Sequence, residues 1–291
     1  MKALVIGAGG QLGRELVYTV PPGVALATAD LPTFDLERAG ALEALLEEEA
    51  PDVTVNAAAF TAVDAAESDA ARAFRVNAEA PARLAQSVSE QRGRLIHVST
   101  DFVFDGERGR PYRPDDEPRP LGVYGASKLA GERGVSSRCP RAVIVRTAWL
   151  YSGTGQNFVR TMLRVMRERG AARVVADQVG TPTWARGLAH ALWMFAVRPD
   201  LSGIFHWTDA GVASWYDFAM AIAEEARQTG QLTAPVQIDP ISTSQYPTPA
   251  RRPSFSVLDK ETTWEALGTR PPHWRVQLRH LMGELALEDG R

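Results

Sequence analysis

The sequence predicts an α/β fold: a doubly wound parallel sheet with helices on both faces and a smaller C-terminal substrate-binding lobe. Three observations carry this. Short apolar runs alternate with longer amphipathic segments through the first 150 residues, the order that builds parallel strands joined by crossover helices. A glycine cluster, Gly7-Ala8-Gly9-Gly10-Gln11-Leu12-Gly13, follows the first apolar run at once. After Trp149 the texture changes to polar loops, helices and a proline-rich stretch over 239–253. The expected division is a sheet domain over 1–150, a lobe over 151–291, and segments near 184–210 that return to the sheet.

Residues 2–6 read as a buried strand, and a helix is expected from Arg14. Gly7, Gly10 and Gly13 are spaced GxxGxxG. Glycine suits a turn that needs unusual dihedrals and lets the backbone approach a pyrophosphate ahead of a helix N-terminus. This is the dinucleotide-binding turn of a Rossmann-type sheet. A second strand over 24–28 leads to Asp30, 20 positions after Gly10, where an acid would bond the adenosine ribose of NAD. No basic residue follows it, only Leu31 and Pro32, so the residue logic leans to NADH. Asp35 and Leu36 fall in the next loop and could reach the adenine side. A helix is expected over 37–49 and a third strand from Asp52 that ends in Ala57, Ala58 and Ala59. Small side chains there let a cofactor lie against the backbone, although they also suit close helix packing.

One long helix is expected up to about Glu90, then a fourth strand over 94–98. Ser99-Thr100 follows; a hydroxyl at a strand's end can bond a substrate carbonyl or simply cap a turn. Residues 107–120 read as loop. Next comes Tyr124-Gly125-Ala126-Ser127-Lys128. On a helix, Tyr124 and Lys128 share one face. An ammonium beside a phenol should lower a pKa that is otherwise about 10, giving a proton donor or acceptor for a carbonyl or alcohol. Further along, a strand over 142–147, helices over 158–168 and 184–197, a strand over 203–207, a helix over 214–228 and two short helices are expected.

Composition restricts the partners. The chain has 291 residues, 45% of them hydrophobic, and a formal net charge of −3. That gives no reason to expect nucleic acid or an anionic membrane. No apolar run approaches the ~20 residues of a membrane span. The single cysteine, Cys139, permits no intrachain disulfide, which suits a reducing cytoplasm. The five histidines lack metal-ligand spacing, so no zinc site is expected.

With these pieces placed, the sequence resembles the extended short-chain dehydrogenase/reductase superfamily and, within it, the dTDP-4-dehydrorhamnose reductases. The resemblance runs nearly end to end. It rests on GAGGQLG (7–13), VNAAAFTAVDAAE (55–67), HVSTDFVFDG (97–106), VYGASKLAGE (123–132), RTAWLY (146–151), DQVGTPTW (177–184) and YPTPARRPSFS (246–256). It implies reduction of the C4 keto group of a dTDP sugar by NADPH or NADH. Gly7, Gly10, Gln11, Leu12, Gly13, Asp30, Asp35, Leu36 and Ala57 to Ala59 would hold the cofactor. Tyr124 would donate the proton, Lys128 would lower its pKa and bond the nicotinamide ribose, and Thr100 would bond the carbonyl oxygen. Val63, Phe102, Phe104 and Trp149 would wall the sugar pocket; Asn157 and Arg252 would face the nucleotide diphosphate. The resemblance further implies a homodimer, bridged in some members by carboxylates around Mg²⁺. Glu15 fits such a position, whereas Arg186 stands where an acid is expected, which puts the metal in doubt. Two other readings share parts of this pattern. One is a nucleotide-sugar epimerase or dehydratase of the same fold. The other is a catalytically silent regulatory subunit of the methionine adenosyltransferase type.

Overall fold

A computed structural model describes residues 1–38 and 40–289. Its centre is a six-stranded parallel sheet. The first five strands are β1 (Lys2–Ile6), β2 (Ala25–Ala29), β3 (Val53–Asn56), β4 (Arg94–Thr100) and β5 (Val143–Thr147). Across the sheet the order is Gly203–His206, β5, β4, β3, β1, β2. The chain steps outward from β1 to β2, then returns to the other side of β1 to lay down β3, β4 and β5. That reversal leaves a crevice at the carboxyl ends of β1 and β3, where open sheets of this type bind ligands.

The inner strands are apolar on both faces because both are covered. Ala3 and Val5 of β1 join Leu12, Leu16, Leu188 and Leu192 on one side. Leu4 and Ile6 join Leu42, Leu46, Leu84 and Val135 on the other. A separate core, including Tyr151, Leu163, Phe218, Trp274 and Leu278, is built wholly from the second half of the chain. There the short parallel pair Ala171–Val175 and Gln237–Ile241 packs against helices Phe158–Arg169 and Trp215–Gln228.

Several boundaries differ from expectation for physical reasons. The first helix, Gln11–Tyr18, starts directly on Gly10, three residues early, because the glycine turn is tight. The second helix is shorter than expected, Ala41–Glu49, since Gly40 sits at φ 75° before it. The long helix expected before Glu90 is broken: Val63–Ser68, Ala70–Phe74 capped by Asp69, a π-turn Arg75–Glu79, then Ala80–Glu90. The π-turn carries Asn77, whose amide bonds both the N–H and the C=O of Phe60 (2.8 and 3.1 Å) and donates to Ser127 Oγ at 3.1 Å. A regular helix would aim that side chain elsewhere. The last helix, Trp274–Asp289, is long rather than short, at 16 residues. β4 runs two residues further than expected, so Thr100 is a strand residue in register with Thr147 of β5. Among the described residues, no helix is long and apolar enough to cross a membrane.

Candidate active site

At the end of β1 the chain turns through Gly7 at φ 85°. A Cβ there would lie 2.6 Å from the Ala58 nitrogen, so only glycine lets β1 and β3 end side by side. Gly13 serves packing: a Cβ on it would lie 2.0 Å from the Gly7 carbonyl oxygen, and it faces away from the crevice. The Asp30 carboxylate accepts the N–H of Gly9 and, at 2.8 Å, that of Leu31, so it braces the glycine loop from the end of β2.

These parts open into a cleft of about 540 Å³. It brings together Gly7, Gly10, Gln11 and Leu12 from the loop, and Asp30, Asp35 and Leu36 beyond β2. Ala57, Ala58, Ala59 and Val63 line it beyond β3, with Thr100, Phe102, Tyr124, Lys128 and Trp149 at the far end.

Tyr124 and Lys128 lie one turn apart on helix Val123–Arg138. Val123 at its start donates its N–H to Glu67 Oε1 at 2.8 Å. Burial pushes the Tyr124 phenol up to about 12; the Thr100 hydrogen bond pulls the other way, and the nearby Asp101 adds to the rise. Lys128 is pulled down to about 8 by burial, with Glu132 opposing. Burial thus outweighs any lowering by Lys128, and the net shift of the phenol is upward. The ammonium is turned onto the Val98 carbonyl oxygen, 2.7 Å away. Thr100 Oγ1 donates to Asp101 Oδ1 at 3.0 Å and accepts the Phe102 N–H at 3.2 Å. The Phe102 ring meets Tyr124 edge-on at 5.5 Å. Trp149 is held at φ 46°, a strained setting for a bulky residue. Its indole stacks on Trp215 at 3.5 Å, and bare Gly180 leaves room for it.

Besides Gly13, three expected site residues do not line the cleft. Phe104 is fully buried, stacked on Tyr112 at 4.2 Å beneath the Arg146 guanidinium, so it belongs to a core and not to a sugar wall. Asn157 caps helix Phe158–Arg169 and donates to Gln11 Oε1 at 2.9 Å, reaching the cleft only through Gln11. Arg252 forms a two-pronged pair with Asp64 at 3.1 and 2.8 Å, which ties loop 246–256 to the helix carrying Val63. Asp64's carboxyl is held below its usual range chiefly by that bond.

Residues outside the expected set also enter. Asp101 is buried in the cleft wall, pushed up to about 6 by burial against hydrogen bonds from Ser256 and Thr100. An acid directly after a hydroxyl pair was its sequence signal. Gln156, which also lines the cleft, gave none, nor did Asn77 and Trp215, which support Ser127 and Trp149 and are placed by long-range packing. Among the described residues, no cluster of three or more acids, histidines or cysteines could hold a metal.

A glycine-turn cleft on a doubly wound sheet, with a tyrosine and a lysine one turn apart at its far end, defines the extended short-chain dehydrogenase/reductase class. The chain matches the family model described as RmlD substrate binding domain over residues 1–287. It belongs to this family, that of the dTDP-4-dehydrorhamnose reductases. It is similar to the dTDP-4-dehydrorhamnose reductase of Burkholderia thailandensis, 44% identical across 94% of this chain and 96% of that one. To the enzyme of that name from Escherichia coli K12 it is 38% identical across 98% of both. The solved dTDP-4-dehydrorhamnose reductase of Bacillus anthracis in complex with NADP superposes with a TM-score of 0.92 at 32% identity, covering 97% of this chain and 99% of that one. A UDP-glucose 4-epimerase of Thermus thermophilus with NAD reaches a TM-score of 0.82 at 23% identity, covering 98% of this chain and 99% of that one. That likeness shows the fold alone.

Proposed function

We infer that the protein reduces the C4 keto group of dTDP-4-dehydro-L-rhamnose to dTDP-L-rhamnose with NADPH or NADH. The observation that carries the chemistry is the meeting of Thr100, Tyr124 and Lys128 at one end of the cleft, where desolvation raises the Tyr124 phenol's pKa and keeps its proton on. A reductase needs its acid protonated at neutral pH, and this phenol is.

The cleft fits a nicotinamide dinucleotide. A side chain at Gly7 would collide with Ala58, so the turn offers bare backbone to a pyrophosphate. Helix Gln11–Tyr18 points its N-terminus at the same place. Gly7, Gly10, Gln11 and Leu12 would take the pyrophosphate, Asp30 the adenosine ribose, and Asp35 and Leu36 the adenine side. When bound, the nicotinamide supplies the hydride. Tyr124 gives its proton to the carbonyl oxygen, and Thr100 bonds the same atom. Lys128 holds the nicotinamide ribose. Val63, Phe102 and Trp149 flank the sugar, and the second half of the chain supplies most of the remaining substrate contacts. Arg252 acts on the diphosphate side, directly or through the loop it fixes to Asp64. Family membership supports a homodimer working in the cytoplasm.

The test is an assay of dTDP-4-dehydro-L-rhamnose with each reduced cofactor. Stoichiometric oxidation with formation of dTDP-L-rhamnose is expected. Tightly held NAD with no net consumption would point to the epimerase or dehydratase reading. No turnover of any keto sugar, with a stable synthetase complex, would point to the regulatory subunit. An intact Thr100, Tyr124 and Lys128 set in one cleft favours working chemistry over the regulatory subunit, and the stretches STDFVFDG and TPARRP weigh against the epimerase or dehydratase reading.

A further inference from the structure

Behind the cleft, three helices meet at one guanidinium. Glu15 lies on helix Gln11–Tyr18, Arg186 on Ala185–Ala196 and Glu284 on Trp274–Asp289. Arg186 donates through Nε to Glu15 Oε2 at 2.8 Å and through Nη1 to Glu284 Oε1. Its guanidinium also lies over the rings of Tyr18 and Trp184, 4.6 and 4.4 Å from their centroids. One positive group is thus flanked by two carboxylates and two aromatic faces, each an attractive partner for a cation.

Two carboxylates converging from different helices are a common start for a hard divalent cation, which needs several oxygen ligands. Here the meeting point is already taken by a cation that is covalently attached and has no lone pair to offer a metal. The Mg²⁺ implied by the family resemblance does not fit this donor set. An ion would have to displace Arg186 from both acids, and Glu15 is only 8% exposed.

We infer that Arg186 is a built-in substitute for a divalent cation. It pins the first helix, whose N-terminus faces the cleft, to the C-terminal helix, and this chain needs no metal at Glu15. An ion site dissociates and follows cation supply; a tethered guanidinium does neither. If the protein forms a homodimer, no metal bridge at Glu15 holds it. Residue 186 alone separates the two chemistries, because Arg186→Glu would place three carboxylates around one point.

The probe is Mn²⁺, followed by paramagnetic resonance, together with thermal melts in chelator or in Mn²⁺. The wild type should bind no Mn²⁺ up to ~1 mM and melt at the same temperature in both solutions. Arg186→Met should melt lower in both and still bind no ion. Arg186→Glu should melt lower in chelator, recover by several degrees in Mn²⁺, and bind one ion per chain with a Kd of ~10⁻⁴–10⁻³ M, the range of weak carboxylate sites. Glu284→Gln should melt lower by the same amount with and without Mn²⁺, and this holds even where Arg186→Glu does not fold. A wild type that binds one Mn²⁺ and loses it on Glu15→Gln would overturn the inference. So would a folded Arg186→Glu that binds none, or a Glu284→Gln variant that melts like the wild type. None of these readouts depends on turnover of the keto sugar.

Discussion

Arg146 and Lys128 are both buried cations, 1% and 2% exposed, and the fold treats them in opposite ways. Arg146 on β5 donates to both carboxylate oxygens of Glu132, at 2.9 and 2.7 Å. Ser99 donates to the same carboxylate at 2.5 Å. Lys128 stands one turn before Glu132 on the same helix, yet its ammonium donates to the neutral Val98 carbonyl. The difference separates structure from chemistry. The cation given a full carboxylate partner fastens the helix to the sheet. The one left on a neutral acceptor, pulled down to about 8, stays available to a ligand in the cleft.

The largest expected effect lies next to Lys128. Tyr124→Phe keeps the ring packed on Phe102 and removes only the proton donor. Turnover should fall by ~10²–10⁴, with cofactor binding nearly intact by titration. A variant that keeps more than half its turnover number would remove Tyr124 from the mechanism.

Next comes the structural cation. Glu132→Gln leaves Arg146 buried with no charge partner, a change that typically costs ~3–5 kcal/mol. Denaturant melts should show a loss of that order. Lys128→Met should do the reverse: weak turnover and weak cofactor binding, with no loss of stability at pH 7. The sign follows from linkage. Lys128 is lowered to about 8 when folded, against 10.5 in its ordinary state. Its charge therefore opposes folding below about pH 8, and that opposition fades as pH rises toward 10.5, where the folded form has already shed its proton. The melting advantage of Lys128→Met should accordingly shrink across this window. Equal losses of stability in the two variants would abolish the contrast between the cations.

The two ends of the cleft also differ in how far the sequence reveals them. The glycine end is written in consecutive residues, because a turn, a strand end and a helix start are local events. Gly7, Gly10, Asp30 and Ala57 to Ala59 could be placed from spacing alone, and all of them line the cleft. The parallel sheet was readable for the same reason: each strand is a short apolar run between helices. The sugar end is assembled from distant segments. Trp149 is fixed by Trp215, and Asn77 reaches Phe60 and Ser127 only through a π-turn that no local pattern announces. Phe104 shows the converse. The family resemblance implies it as a second wall beside Phe102, but the turn Asp101–Val103 sends it into the core beside Tyr112. The direction of Lys128 was hidden too, since spacing places two residues on one face without saying which acceptor an ammonium finds.

The smallest expected effect tests the other charged group at the glycine end, Asp30. Its carboxylate already accepts two backbone N–H bonds, from Gly9 and Leu31. An ionised carboxylate has about four acceptor sites, so roughly two remain for the adenosine ribose hydroxyls, while its charge repels a 2′-phosphate. Arg14 is drawn to the same loop, its Nε bonded to the Gly9 carbonyl at 2.9 Å. Wild-type enzyme should therefore turn over with both cofactors and show no large preference for NADPH. Asp30→Asn keeps an acceptor for the loop and removes the charge. The ratio of kcat/KM values, NADPH over NADH, should rise by about fivefold, the equivalent of ~1 kcal/mol. Asp30→Ala should shift the ratio the same way while weakening both cofactors, because the loop loses its brace. If the wild type proves strictly NADPH-dependent, or if Asp30→Asn leaves the ratio unchanged, Asp30 is a brace for the glycine loop and nothing more, and cofactor choice is set elsewhere in the cleft.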